Sequence, residues 1–396
     1  MRSANTHLLW YPGHDRIMDD IICAEGCELV DSKGKRYVDL ESGVWCTSIG
    51  HGHARLNDVL CEQSRRIMHA GYIYSSPVVE EAARDILGLL GFSGGRCVFL
   101  CSGSEAVEYG VRTTQMIAPR SLLMTMSDSY CGAYGSASQK RKEEWFCFDW
   151  SECVDCPESR HCDGTCKRWA SIPIDRIGGF VFEPGSSSGL VRFPPEKLIR
   201  SIARAMDDVG GVVLVNEVTT GMGRTGMWFG YQHYGITPDI VALGKGVGNG
   251  YPVSVTALGP RVLSGLAGRS VNYAQSHQND PLGAAVVREV IRIMHDDGLV
   301  DKGRTSGGML LQGLEAIQSR CDRIRDIRAR GLMVAVELRD DEEAAFTIRT
   351  HRELLRRGFI VARRPGLNVL RIDPPLCISR VQIDRFLQSF EEALEK

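Results

Sequence analysis

A chain of 396 residues is too long for one ordinary hydrophobic core, so two packed domains are expected and a bare binding motif is excluded. Hydrophobic residues make up 43% and charged residues 24%, the balance of a folded globular protein rather than a disordered or fibrous one. Lys and Arg total 47 against 49 Asp and Glu, and a net charge of −2 provides no overall field for nucleic acid or an anionic membrane. Partners must therefore be recognised locally.

In chain order, the opening residues MRSANTHLLWYPGHD hold no apolar stretch of a secretory signal, and no apolar run approaches the ~20 residues of a membrane span. A cytosolic, and so reducing, location is expected, in which the 14 cysteines stay thiols, thiolates or metal ligands. Cys23 to Ser42 alternates polar and apolar residues around a Ser-Lys-Gly turn, which predicts short antiparallel strands. From Leu56 to Leu90 the apolar spacing is that of amphipathic helices. Buried-strand candidates then alternate with helical stretches: CVFLCS, SLLMTM, GGFVFEP, GVVLVNEV, PDIVALGK and YPVSVTAL. That order predicts a mostly parallel sheet covered by helices on both faces. The last third reads as a long helical stretch (Pro281–Ser319), strands such as GLMVAVEL and VLRIDPPL, and a closing helix, which suggests a smaller α+β domain.

Three segments carry chemistry. In Cys101-Ser102-Gly103-Ser104-Glu105 a small-residue turn leaves a strand and opens a helix, exposing backbone N–H groups where an anion such as phosphate can sit. An ordinary Ser/Gly helix cap explains the same residues. In Ile240-Val-Ala-Leu-Gly-Lys245-Gly an apolar strand delivers a lysine into a glycine-rich turn. Burial disfavours the charge of such an amine and leaves it a nucleophile able to form a Schiff base with an aldehyde; a surface lysine just past a strand is the plainer reading. In Val212-Val-Leu-Val-Asn216-Glu217-Val218-Thr219, polar groups end a hydrophobic strand and lead into the glycine-rich loop GMGRTG. Ligands of open α/β sheets bind at such strand ends.

In this order the segments resemble the class III pyridoxal-phosphate aminotransferases of fold type I. The resemblance runs from about Cys23 to about Ser379 and is carried by SGSEAVE, SYCGAYG, FEPGSSSG, LVNEVTTGMGRTGMWFG, PDIVALGKGVGNGYPVS, NDPLGAA, RGLMVAVEL and LRIDPPL. It implies a large domain over residues 49–284 with a mostly parallel seven-stranded sheet, and a small α+β domain from residues 1–48 and 285–396. It further implies that Lys245 holds pyridoxal 5'-phosphate covalently and shuttles the substrate proton. By the same resemblance Gly103 and Ser104 take the phosphate, the Tyr130 ring stacks on the pyridine, and Asn216 and Thr219 stand beside the ring. Ser276 falls near the place where a residue of a neighbouring subunit completes the phosphate site, which implies a homodimer with shared active sites. Trp45 lies in a segment that lines the substrate pocket. Arg371 matches an arginine whose planar fork suits a substrate carboxylate; a salt bridge joining the domains is its plainer role. The implied reaction moves an amino group between a small-molecule amino donor and an oxo acid.

The chain departs from the family pattern at informative places. Asn216 replaces an aspartate whose charge keeps the ring nitrogen protonated, so a less basic nitrogen is expected. Glu217 should not substitute, because successive strand side chains point to opposite faces. Cys131 stands where the family has histidine, and Ser187 and its serine neighbours stand where relatives acting on ω-amino substrates have a glutamate that can neutralise the arginine. Three readings follow from Asn216: a working aminotransferase, a pyridoxal-dependent aminomutase or racemase, and a catalytically impaired sensor that binds the cofactor and a metal. The intact lysine and phosphate cradle favour the first.

Residues 143–169 hold five cysteines and three tryptophans where a short connection is expected, and so read as an insertion. Within it Cys153, Cys156, Cys162 and Cys166 place four thiols in fourteen residues. In a reducing compartment that density predicts a shared metal, either an iron–sulfur cluster or a structural zinc, with unligated thiols the plainer alternative.

Overall fold

The structure, a computed structural model, describes residues 7–9, 16–118, 120–154, 156, 162, 166–340 and 343–395. The opening alternation becomes three strands, Ile21–Glu25, Glu28–Asp31 and Arg36–Asp39, paired antiparallel in sequence order. The Asp31 carboxylate accepts from the backbone N–H of Lys33 and of Lys35, both at 2.9 Å, which sets the predicted reversal between the second and third strands. Helices Ala54–Arg66 and Pro77–Leu90 follow where the apolar spacing places them. The second starts on proline and stops at Gly91, whose left-handed backbone closes the last turn.

Seven strands make the central sheet, in the order Arg96–Leu100, Ser254–Leu258, Ile240–Leu243, Val212–Asn216, Ile177–Phe182, Leu122–Met126 and Trp145–Phe148. Ser254–Leu258 runs against both neighbours and the remaining pairs are parallel. Trp145–Phe148 forms the edge strand, so the extra element begins after Phe148 rather than at Glu143.

Both faces of the sheet are covered. Val212 and Leu214 pack with Ala106, Val107 and Val111 of helix Gly103–Ile117, while Val213 and Val215 pack with Leu198, Ile199 and Ile202 of helix Glu196–Asp208. The two-residue period of the strand thus sends alternate valines and leucines to opposite layers. Helix Gly103–Ile117 lies close on the sheet: a Cβ on Gly110 would stand 2.5 Å from Leu214 Cδ1.

Two four-stranded sheets complete the fold. Phe359–Ile360 joins the N-terminal strands by pairing parallel to Arg36–Asp39, with Phe359 opposite Val38. Ile324–Arg330, Met333–Leu338, Val369–Ile372 and Ala362–Arg363 form an antiparallel sheet. The long helical stretch is two helices, Pro281–Asp296 and Leu299–Gln318, separated at Gly298, where φ is 59°. Strand Ile324–Arg330 and helix Ala345–Arg356 go beyond the sequence reading. Helix Arg380–Leu394 closes the chain behind a capping box of Ser379 and Gln382. Among the described residues no helix is long and apolar enough to cross a membrane.

Candidate active site

The parallel strands deliver Ser102, Tyr130, Glu183, Asn216 and Lys245 to the same edge of the sheet, each just at or past a strand end. Lys245 has a left-handed backbone, φ 48°, a conformation costly for a side chain with a Cβ and held here by the tight turn after the strand. Its Nζ donates to Thr219 Oγ1 at 3.0 Å and sits 4.7 Å from the centre of the Trp45 ring. Burial pushes the amine down to about 8; the nearby Cys46 and Glu183 oppose that shift and Arg371 adds to it. The plainer reading of a freely solvated lysine does not fit this position.

Strand alternation places Asn216 on the side of helix Gly103–Ile117 and Glu217 on the other. Glu217 is buried, accepting from Gly230 N at 2.9 Å, Tyr231 N at 2.7 Å and Thr220 Oγ1 at 2.7 Å. Burial pushes its carboxyl up to about 7. It anchors the following loop and does not stand in for Asn216. The Asn216 amide donates to Glu183 Oε1 at 2.8 Å, and its carbonyl oxygen accepts from Val218 N at 3.1 Å.

The residues expected to cradle an anion form a helix cap. Ser102 Oγ accepts from Glu105 N, and Glu105 Oε2 accepts from Ser102 N at 2.7 Å and Cys101 N at 3.0 Å. Helix geometry leaves the N–H groups of Gly103 and Ser104 without intrahelical partners, at the positive end of the dipole. A Cβ on Gly103 would stand 2.5 Å from Val218 Cγ1, so glycine permits the approach of helix and loop. Ser104 Oγ accepts from Ala133 N at 3.0 Å. Ser276 is exposed in the turn 276–279, and the adjoining Gln275 amide reaches Cys101 Sγ at 3.8 Å.

Tyr130 is 48% exposed. Its N–H and that of Cys131 donate to Glu183 at 3.1 and 2.8 Å. Burial, then the charge of Glu183, pushes the Cys131 thiol up to about 12, so this position contributes neither a charge nor a strong hydrogen bond. Ser187 Oγ also donates to Glu183, at 3.2 Å.

Trp45 ends a turn, Ser42–Trp45, whose four residues all have φ between 52° and 65°. Two groups of contacts hold it: Asp39 Oδ1 accepts from Glu41 N and Ser42 N, both at 2.9 Å, and Ser42 Oγ lies between Asp373 O and Arg224 Nη2. Arg224 is fully buried and also donates to the backbone carbonyls of Leu332 and Pro374. The guanidinium carbon of Arg371 lies 3.8 Å from the Trp45 ring centre, and its Nε is 3.7 Å from Asp373 Oδ2, too far for a hydrogen bond. Sequence reasoning assigned no role to Glu183, Arg224 or Asp373, although Glu183 closes a strand in FEPG and Arg224 interrupts GMGRTG.

The cysteine segment docks on helix Glu196–Asp208. Cys162 N donates to Ser201 Oγ at 3.3 Å and Lys197 Nζ to Cys156 O at 3.2 Å. Burial first, then the charges of Cys162, Cys166 and Cys156, pushes the Cys153 thiol up to about 11; among the described residues no three of these sulfurs lie within 4.8 Å of one another. Trp150 is buried beneath, its Nε1 donating to Asp128 at 2.8 Å. His161, with Cys147 a spare ligand candidate of this stretch, lies outside the described residues. Elsewhere, His69, His277 and Asp280 bring three ligand-capable atoms within 4.8 Å, but each imidazole already reaches the carboxylate, at 3.3 and 3.2 Å.

A buried amine with a lowered pKa, a capped helix N-terminus and a buried polar strand end meet at one edge of a mostly parallel α/β sheet, the arrangement of an enzyme site. The chain belongs to the class III aminotransferase family, whose model matches residues 11–144 and 156–394 and leaves out the start of the cysteine segment. It is a pyridoxal-phosphate-dependent aminotransferase. The chain is 28% identical over 366 residues to the acetylornithine aminotransferase of Methanothermobacter thermautotrophicus, covering 91% of this chain and 90% of that protein. It is 25% identical over 403 residues to a leucine/methionine racemase of Thermococcus litoralis, covering 94% and 89%. A Bacillus anthracis aminotransferase structure superposes with a TM-score of 0.88 at 23% identity, covering 98% and 96% of the two chains.

Proposed function

We propose that Lys245 is the residue that carries the cofactor and moves the proton, in a chain that passes an amino group from an amino donor to an oxo acid. The observation that carries this reading is the Lys245 amine itself, lowered to about 8 and aimed by Thr219 into a cleft lined by Trp45. Pyridoxal phosphate, when bound, supplies the aldehyde that captures amines and the ring that draws electrons from the substrate α-carbon. The N–H groups of Gly103 and Ser104 would hold its phosphate and the exposed ring of Tyr130 its pyridine, with Asn216 and Thr219 offering polar partners to the ring. Lys245 Nζ, freed from its covalent role, accepts and returns the α-proton, and near pH 8 it titrates where such a transfer is efficient.

Arg371, stacked on Trp45 and ion-paired at Nε with Asp373 at 3.7 Å, holds the carboxylate of the amino or oxo acid. The domain division lies at residues 49–284 against 1–48 and 285–396. The working unit is a homodimer in which Ser276 from each subunit reaches the other's phosphate site, in the cytosol. The four cysteines, Cys153, Cys156, Cys162 and Cys166, hold zinc or an iron–sulfur cluster.

The test is a screen of amino donors against the holoenzyme, read at the cofactor's visible absorption, with borohydride trapping followed by peptide mass spectrometry. The expected result is donor-dependent bleaching and a label on the peptide containing Lys245. A cofactor band that no amine shifts defeats the catalytic reading, and isomerised product formed without an oxo acid assigns the chain to racemase or mutase chemistry.

A further inference from the structure

The family aspartate is missing, yet a buried carboxylate stands one residue further from the cleft. Glu183, 3% exposed, accepts from Asn216 Nδ2 and Cys131 N at 2.8 Å, from Tyr130 N at 3.1 Å, and from Ser187 Oγ at 3.2 Å and Ser187 N at 3.4 Å. Every partner donates, which is the environment a carboxylate, an acceptor on both oxygens, satisfies. Asn216 is constrained from two sides. Its amide nitrogen must face Glu183, because a carboxylate only accepts, and its oxygen must face Val218 N, because a backbone N–H only donates. The Asn216 oxygen therefore has one fixed orientation, with a second lone pair still to offer.

We propose that Glu183 supplies, through Asn216, the negative charge that keeps the cofactor's ring nitrogen protonated. The proposal rests on the reading that Asn216 faces that nitrogen. Donation to a charged acceptor polarises the amide and makes its oxygen a better acceptor. The buried carboxylate also acts directly as a charge, as it does on Lys245. Glu183 is thus a positioning residue, and the expectation of an unassisted neutral partner drawn from Asn216 alone is revised.

The test loads the protein with pyridoxal phosphate labelled with ¹⁵N in the ring and reads the nitrogen resonance, alongside steady-state kinetics. The wild-type enzyme should show the protonated resonance at neutral pH. Glu183→Gln should move it toward the unprotonated position, with kcat falling about tenfold for each pKa unit of ring basicity lost and KM for the donor changing less. The exchanged pair Glu183→Gln with Asn216→Asp should bring back the protonated resonance, which a merely structural role would not do. An unprotonated nitrogen in wild-type protein that still transfers amino groups overturns this proposal and leaves the aminotransferase reading standing. A protein that takes up no pyridoxal phosphate overturns both. Should Glu183→Gln fail to fold, the wild-type resonance and that of the exchanged pair decide.

Discussion

The guanidinium of Arg371 rests 3.8 Å from the centre of the Trp45 ring, and that ring is 4.7 Å from the Lys245 amine. One aromatic side chain therefore fixes the spacing between the amine proposed as the covalent anchor and the cation proposed to read the substrate's acid group. A cation over an indole at a largely desolvated site is worth about 1–2 kcal/mol, roughly a 5- to 30-fold effect on an equilibrium. Trp45→Ala should raise KM for acidic substrates by about that factor, and Trp45→Phe by less. Arg371→Ala should raise it further still. Steady-state kinetics with acidic and uncharged donors checks this: an Arg371→Ala enzyme with unaltered KM for the acids places the carboxylate elsewhere.

Cofactor capture should follow the protonation of Lys245. The attacking amine must be neutral, so the rate of uptake by apoprotein should climb with pH through about 8 and level off above it. Thr219→Val, which removes the acceptor at 3.0 Å, should slow uptake about 2- to 10-fold, the scale of one ordinary hydrogen bond. The same shift has a stability consequence. The unfolded chain keeps this proton up to about 10.5 and the folded chain only to about 8, so between those values the unfolded state binds more protons and Lys245 makes stability rise with pH. Apoprotein melts of the wild type and Lys245→Met across pH 7–10 should differ in slope in that sense.

How far the sequence reaches depends on how local each feature is. Lys245, Gly103 and Asn216 are legible because a strand followed by a tight turn positions them without reference to the rest of the chain. The opposite destinations of Asn216 and Glu217 follow from strand alternation alone. Glu183 acts on Asn216 across 33 residues of sequence, a contact made by two neighbouring strand ends, and no local pattern encodes it. The turn at Ser42–Trp45 is equally hidden. Valine and tryptophan disfavour positive φ, and the turn is held there by the nearby Asp39 together with Arg224 and the Asp373 carbonyl, brought in from two distant segments. Trp145–Phe148 was obscured by the cysteines that follow it, though its place at the sheet edge needs nothing from them.

Glu217 gives a pH signature of the opposite sign. Burial raises its folded-state pKa from 4.5 to about 7, so between those values the folded state binds the extra proton and this residue makes stability fall as pH rises. Glu217→Gln should flatten that part of the profile while lowering stability at every pH, since a glutamine oxygen in the place of Oε2 still accepts from Gly230 and Thr220 but Tyr231 N loses its acceptor at Oε1. Thermal melts at pH 5 and pH 7.5 suffice. An identical pH slope in the two proteins rules out this carboxyl as the source.

The cysteine segment should behave as a metal-stapled element whose loss is felt beneath it. Trp150 and the contacts to Ser201 and Lys197 join the segment to the sheet-covering helix Glu196–Asp208, so loosening it exposes a buried indole. Protein purified without oxygen should carry zinc or iron. A chelator that strips it, or the pair Cys153→Ser and Cys166→Ser, should bring bound metal to background, lower the melting temperature and shift Trp150 fluorescence toward that of a solvated indole. Elemental analysis with visible absorbance distinguishes colourless zinc from an absorbing cluster. Amino transfer should persist in the stripped protein at moderate temperature, because among the described residues the segment's hydrogen bonds run to Ser201 and Lys197 and not to the Lys245 turn or Gly103. A colourless protein free of both metals, melting no lower after chelation, would leave four reduced thiols packed together and no staple.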